Sequence, residues 1–134
     1  MVTVLRFQTR RQGLLEITRE VQQLVQNSTC AEGLCTVMIQ HTSASLMIQE
    51  NADPSAKHDL EKWLNRLVPE NDPHFTHTSE GPDDMPSHIK AALTLTSISI
   101  PILNSKLCLG TWQGLYLWEH RKAPHQRNVV VHIS

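Results

Sequence analysis

Between His77 and His88 the chain reads His-Thr-Ser-Glu-Gly-Pro-Asp-Asp-Met-Pro-Ser-His, which sets two imidazoles and three carboxylates around one glycine and two prolines. Few of these side chains suit a hydrophobic core. Imidazoles and carboxylates ligate divalent metals and move protons near neutral pH. A turn stiffened by proline and loosened by glycine is a common place for such groups to gather. The competing reading is a solvated acidic loop entering a helix, with Asp83 and Asp84 favouring the helix N-terminus. The two histidines weigh toward a site.

His77 and His88 lie eleven residues apart, so they converge if the helix after the turn folds back. His120 ends an apolar run and is followed by Arg121, which offers a third imidazole for the same point. Three histidines with an open fourth position form the arrangement of a metal that holds water or substrate, with ligand atoms about 2.0–2.2 Å from zinc. No single spacing here is as diagnostic as His-Glu-x-x-His on one helix. A metal-free alternative makes Glu80 the general base, His41 or His120 the acid and Arg121 the clamp on a phosphate or carboxylate. After His41 come Thr42, Ser43, Ala44 and Ser45, a turn whose hydroxyls and backbone N–H groups suit an anion. Neither Ser43 nor Ser45 stands in a Gly-x-Ser-x-Gly elbow, which argues against a serine nucleophile. His58, His74, His125 and His132 read as solvent-facing. Cys30 and Cys35 lack a second thiol pair and make a weak zinc signal, and Cys108 reads as a small buried hydrophobe.

The elements that must position these groups follow from periodicity. Residues 2–9 predict a strand, 14–17 a second, and Thr18 the N-cap of a helix to about Gln26 with Val21, Leu24 and Val25 on one face. Residues 34–41 form a strand that ends on His41, and Leu46–Gln49 another. Asp53 caps and Pro54 opens a helix whose stripe is Ala56, Leu60, Trp63, Leu64 and Leu67. Pro69 ends it. Residues 70–82 are irregular, and a loop of that length in a small domain is usually functional. A short helix from Asp84 to Leu93 tolerates Pro86 in its first turn. A strand-rich stretch from Thr94 to Leu103, a hairpin turn at Asn104-Ser105, a return strand, the segment Gly110-Thr-Trp112-Gln-Gly114, and strands at 115–120 and 128–133 complete the chain. In strand 115–120, Tyr116, Trp118 and His120 share one face and Leu115, Leu117 and Glu119 the other. Strands in the majority, without strict βαβ alternation, predict an α+β fold, an antiparallel or mixed β-sandwich with helices on one side.

At 134 residues with 40% hydrophobic and 19% charged content, the chain has the size and composition of one folded domain. A net charge of −1 without charge runs gives no footprint for nucleic acid or an anionic membrane surface. No apolar run reaches membrane-spanning length and the N-terminal residues lack a signal peptide's apolar core, so the expected location is the cytoplasm.

Several motifs together resemble the YjbQ family, also labelled secondary thiamine-phosphate synthase. They are Gln40-His41-Thr-Ser-Ala-Ser45, Asn51-Ala-Asp53-Pro54, Glu80-Gly-Pro-Asp83-Asp84-Met-Pro-Ser-His88-Ile-Lys90, Gly110-Thr-Trp112-Gln-Gly114 and Glu119-His120-Arg121. Ser87 stands where alanine is more usual, and the chain ends at Ser134 without the glycine often found there. The resemblance implies a homotrimer and a site that includes His41, Glu80, His88, His120 and Arg121, with His77 beside them. It implies a divalent metal on His77, His88 and His120, zinc before magnesium or manganese. Substrate contacts fall to Thr42, Ser43, Ser45, Asn51, Asp83 and Trp112. The implied reaction joins a pyrimidine-methyl diphosphate to a thiazole phosphate and releases diphosphate. Arg121, the metal and the Thr42–Ser45 turn would then meet the departing diphosphate, and Trp112 and Glu80 the developing pyrimidine cation. Two alternatives stand beside it: a metal-dependent hydrolase of a small phosphate-type substrate that uses the same histidines, and a non-catalytic trimer that binds a small ligand.

Overall fold

Alternation in the N-terminal run produces strand β1 (Val2–Thr9), and the computed structural model describes residues 1–134. It continues through β2 (Gly13–Glu16), α1 (Thr18–Asn27), β3 (Glu32–Ile39), β4 (Ala44–Glu50) and α2 (Pro54–Leu67). After the long loop come α3 (Asp84–Leu93), β5 (Ser97–Leu103), β6 (Lys106–Leu107), β7 (Gln113–Glu119) and β8 (His125–Ile133). The strands form a five-stranded sheet in the order β1-β8-β3-β5-β6 and a three-stranded sheet in the order β2-β7-β4. Every pairing is antiparallel. The expected α+β sandwich is found. No helix is long and apolar enough to cross a membrane.

Period-two alternation sends Val37, Ile39, Ile98, Ile100, Val129 and Val131 of the large sheet inward against Leu46, Leu115 and Leu117 of the small one. Full burial of each such aliphatic side chain is worth about 1.5–3 kcal/mol before chain entropy is subtracted. Strand β7 is buried on both faces, because Tyr116 and Trp118 point the other way into a second cluster with Leu14, Leu64 and Val68. Helices α2 and α3 cover that outer face through Leu60, Leu64 and Ile89. Helix α1 differs from them, contributing Val21 and Val25 to the core between the sheets.

Several local expectations change on folding. Thr18 is not a cap: the N-cap position is Ile17, and Thr18 Oγ1 accepts the Leu115 N–H at 2.8 Å, fastening α1 to β7. Asp53 does cap α2, with Oδ1 accepting the Ser55 N–H at 2.9 Å and Pro54 first in the helix. The buried row of α2 is Leu60, Leu64 and Val68, while Trp63 and Leu67 each stay 52% exposed. One helix against one narrow sheet buries an i, i+4 row, and Trp63 stands about 100° round from it. Trp63→Ala should therefore lower stability by less than about 1 kcal/mol, read from urea denaturation. Cys108 is exposed rather than buried, because the chain leaves the sheet after the two-residue β6. Asn104 and Ser105 do form the β5–β6 hairpin turn, with φ of 52° and 60°, the left-handed pair that matches strand twist without glycine.

Candidate functional site

Helix α3 places Asp84 and His88 one turn apart on the same face, and the loop before it returns His77 to them. Asp84 is buried, and its Oδ2 meets His77 Nε2 at 2.6 Å and His88 Nε2 at 3.2 Å. His88 Nδ1 lies 3.0 Å from the Thr42 carbonyl, which can only accept, so that nitrogen carries a proton. In a neutral ring Nε2 then turns a lone pair toward the Asp84 carboxylate. Two lone pairs at that distance repel unless a proton or a cation stands between them. One ligand atom from each of His77, Asp84 and His88 lies within 4.8 Å of the others. Two imidazoles and a carboxylate, one imidazole steered by a backbone carbonyl, make a donor set that fits a divalent cation such as zinc.

Arg121, just past β7, holds this cluster in shape. Its Nε lies 3.2 Å from Asp83 Oδ2, Nη1 donates to Asp84 Oδ1 at 2.8 Å and Nη2 donates to the Glu80 carbonyl at 2.9 Å. The Lys122 N–H adds a 2.9 Å bond to Asp83 Oδ2. Burial pushes the Asp83 carboxyl up, but Lys122 and Arg121 outweigh it and hold it below the usual carboxylate range. Asp84 follows the same pattern: burial raises it, and His77, His88, Arg121 and Glu80 together bring it below its ordinary value. Gly81 has φ +104°, backbone that other residues rarely adopt, and the bend leaves the Glu80 carbonyl facing Arg121. Arg121 thus directs Nη1 and Nη2 to groups of its own chain, organising the carboxylates that flank the cluster, while its buried Nε stands near Asp83 without a hydrogen bond. Glu80 itself is exposed at the rim beside Asp84.

Of the other sequence-predicted residues, Thr42 touches the cluster through its carbonyl and the rest lie outside it. His120 is buried on the Trp118 side of β7, with Nε2 2.8 Å from Ser45 Oγ, and the third metal-type ligand in its place is Asp84. Burial first, then the nearby Lys90 and Arg127 charges, push His120 down to about 3. His41 lies two residues beyond β3, where Nε2 accepts the Asn128 N–H at 2.8 Å. Burial, with Arg127 close by, holds its pKa below the ordinary imidazole value. Ser43 gives its carbonyl and hydroxyl oxygens to Arg127 at 3.2 and 3.0 Å and Ser45 Oγ meets His120, so those two residues face protein partners while Thr42 stays exposed. Asn51 and Trp112 meet at the far end of the small sheet, joined by the Asn51 N–H and Trp112 carbonyl at 3.0 Å. Register sets Ala44 opposite Glu119 at one end and Glu50 opposite Gln113 at the other. That strand length of about 20 Å keeps Asn51 and Trp112 from sharing a small substrate with His77 in one chain.

Sequence reasoning counted Asp84 among the carboxylates of the stretch without naming it a ligand, and gave Arg127 no role. The signal for Asp84 was its i, i+4 spacing to His88. In the structure Arg127 belongs to β8 and is buried against Glu119, whose carboxylate it engages through Nε at 2.8 Å and through Nη2. A cavity of about 270 Å³ opens beside His77, walled by Phe75, Thr78, Pro82 and Met85. The largest cleft, about 480 Å³, runs along β2 past Arg10, Arg11 and Lys57 and shares no residue with the cluster.

Residues 3–134 match the family model described as UPF0047 protein YjbQ-like. A UPF0047 protein from Synechocystis sp. is 54% identical over 126 residues, covering 94% of this chain and 86% of the relative. YjbQ from Escherichia coli O157:H7 is 40% identical over 122 residues, 90% of this chain and 88% of its own. Among solved structures, an uncharacterised protein of the YjbQ/UPF0047 family from Clostridium acetobutylicum superposes with TM-score 0.86 at 36% identity, covering 100% of this chain and 99% of that one. A conserved hypothetical protein from Thermus thermophilus gives TM-score 0.88 at 31% identity, with 98% and 99% covered.

Proposed function

This chain belongs to the YjbQ/UPF0047 family, and we propose from its own geometry that it is a divalent-metal-dependent enzyme acting on a small phosphorylated substrate. The observation that carries this reading is the orientation of His88, whose Nδ1–H is committed to the Thr42 carbonyl so that Nε2 faces His77 and Asp84. His77, Asp84 and His88 would hold the cation, which supplies positive charge to a phosphate oxygen as negative charge builds on it. Arg121 keeps Asp83 and Asp84 ionised and fixed. Glu80, exposed beside Asp84, would set its carboxylate against the developing pyrimidine cation in the condensation, or take the proton of an attacking water if the reaction is hydrolysis. Phe75 is the aromatic wall of that cavity.

The reaction we assign within this class is condensation of a pyrimidine-methyl diphosphate with a thiazole phosphate, as the family resemblance implies. In that reaction Phe75, which lines the cavity beside His77, would stand by the developing pyrimidine cation in place of the distant Trp112. Elemental analysis of untagged protein after reconstitution with zinc or manganese should give close to one metal per chain. His77→Ala and His88→Ala should each lose about tenfold or more in metal affinity, and His120→Ala should retain metal. Metal absent from wild type, or lost only with His120→Ala, would remove the assignment of the centre. Thiamine-phosphate formation from both substrates with Mg²⁺ tests the condensation. Phosphate release without the thiazole, abolished by Glu80→Gln, would replace it with hydrolysis.

A further inference from the structure

Lys90, on α3 two residues beyond His88, is 4% exposed, and Nζ donates to Asn65 Oδ1 at 2.6 Å. None of the ion pairs in the structure involves it. An ammonium has three donors and is costly to bury without a counter-charge. The carboxylates around it are already committed. Glu70 pairs with Lys122 at 2.6 Å, Asp83 with Arg121, and Glu61 with Arg11 at 3.5 Å while also accepting the Leu14 N–H.

Two cavities meet at this side chain. One of about 140 Å³ is walled by Arg11, Lys62, Lys90, Trp118 and His120, with Glu61 as its acidic member. The other, about 360 Å³, runs past Lys122 and Glu70. Gln12, Asn65 and Lys90 line both, so Lys90 stands where the two cavities adjoin. Three cationic side chains against one committed carboxylate leave the smaller cavity with an excess of two positive charges, in a chain whose net charge is −1. Gly13 closes its floor, since a Cβ there would come within 2.8 Å of the Glu61 carboxylate.

We propose that this cavity is a phosphate-binding site, in which Lys90 meets the phosphate group of a small molecule and Lys62 closes over it. An excess of two charges matches a phosphate near its dianion better than a single carboxylate. The site shares no ligand with the His77–Asp84–His88 cluster and stands whether or not that cluster holds a metal.

The test is calorimetric titration of the full chain with inorganic phosphate at constant ionic strength, in EDTA so that no divalent cation contributes. Wild type should bind one phosphate per chain saturably. Lys90→Met, checked for folding by circular dichroism, should bind about tenfold more weakly or worse, the loss expected for one charged hydrogen bond. Lys62→Gln, which leaves the buried residues untouched, should weaken binding by a smaller factor and keeps the test decisive if Lys90→Met does not fold. No saturable binding by wild type, or affinity unchanged in each folded variant, would overturn the proposal. Tighter binding of acetate than of phosphate would overturn the assignment of the ligand.

Discussion

Glu119→Gln is expected to destabilise the protein by about 3–5 kcal/mol, the cost of stranding one member of a buried ion pair. Glu119 is fully buried and Arg127 is 3% exposed, so water cannot replace the lost charge. The carboxylate serves three strands at once. Oε1 accepts Thr9 Oγ1 from β1 at 2.6 Å and Arg127 Nε from β8 at 2.8 Å, and Oε2 accepts the Arg121 N–H at 3.2 Å at the end of β7. An amide of the same shape keeps the packing and leaves the guanidinium with only Ser43 and neutral acceptors. Against a total stability of about 5–15 kcal/mol for proteins of this kind, the loss should move the urea midpoint far down with little change in slope. Glu119→Gln combined with Arg127→Met should recover much of it, because no buried charge then remains unpaired. A cost below about 1 kcal/mol for the single change would mean that the pair is solvated in solution.

The second large effect is acid sensitivity centred on His120. Its imidazole has a folded pKa of about 3, against about 6.5 for an unfolded histidine. Between those values the unfolded chain binds a proton that the folded chain refuses. Stability is therefore whole above about pH 6.5 and falls as pH drops toward about 3, by about 1.4 kcal/mol per unit once inside the window. Denaturation at pH 4.5 should show a loss of about 2–3 kcal/mol relative to pH 7 from this group alone. Glu119, whose carboxyl is held below the ordinary value against the pull of burial, adds to the loss at the acid end as it becomes protonated. His120→Gln should flatten the slope between pH 6.5 and 4.5, and an unchanged slope would show that His120 charges freely in the folded state.

Much of the scaffold was legible because period and punctuation agree. The α3 boundaries, the Asp53-Pro54 start of α2 and the two-faced β7 all emerge from patterns that burial and capping reward locally. Trp63 was misplaced because helical spacing identifies a face but not the width of what covers it. The site was legible as a stretch and less so as a constellation. His77 and His88 come together because the loop and the helix between them are short in sequence. His120 does not join them, because it packs beside Trp118 with Nε2 against Ser45 Oγ, while Arg121, past the end of β7, reaches Asp84. The Glu119–Arg127 pair spans two strands of different sheets and left only one trace, a charged residue on the core-facing register of β7.

Strand β8 lies between β1 and β3, so residues 125–133 form an interior strand of the large sheet although they come after its other strands in sequence. On a ribosome, β1 emerges first and has no strand to pair with until β8 follows it out of the exit tunnel, while β3 can pair earlier only along its β5 edge. Hydrophobic edges wait exposed for most of synthesis, and the pairing of Val2 with His132 closes nearly the longest loop the chain allows. A topology of this kind sets a high contact order, and refolding in the millisecond-to-second range follows from connectivity rather than from any weakness of the final structure.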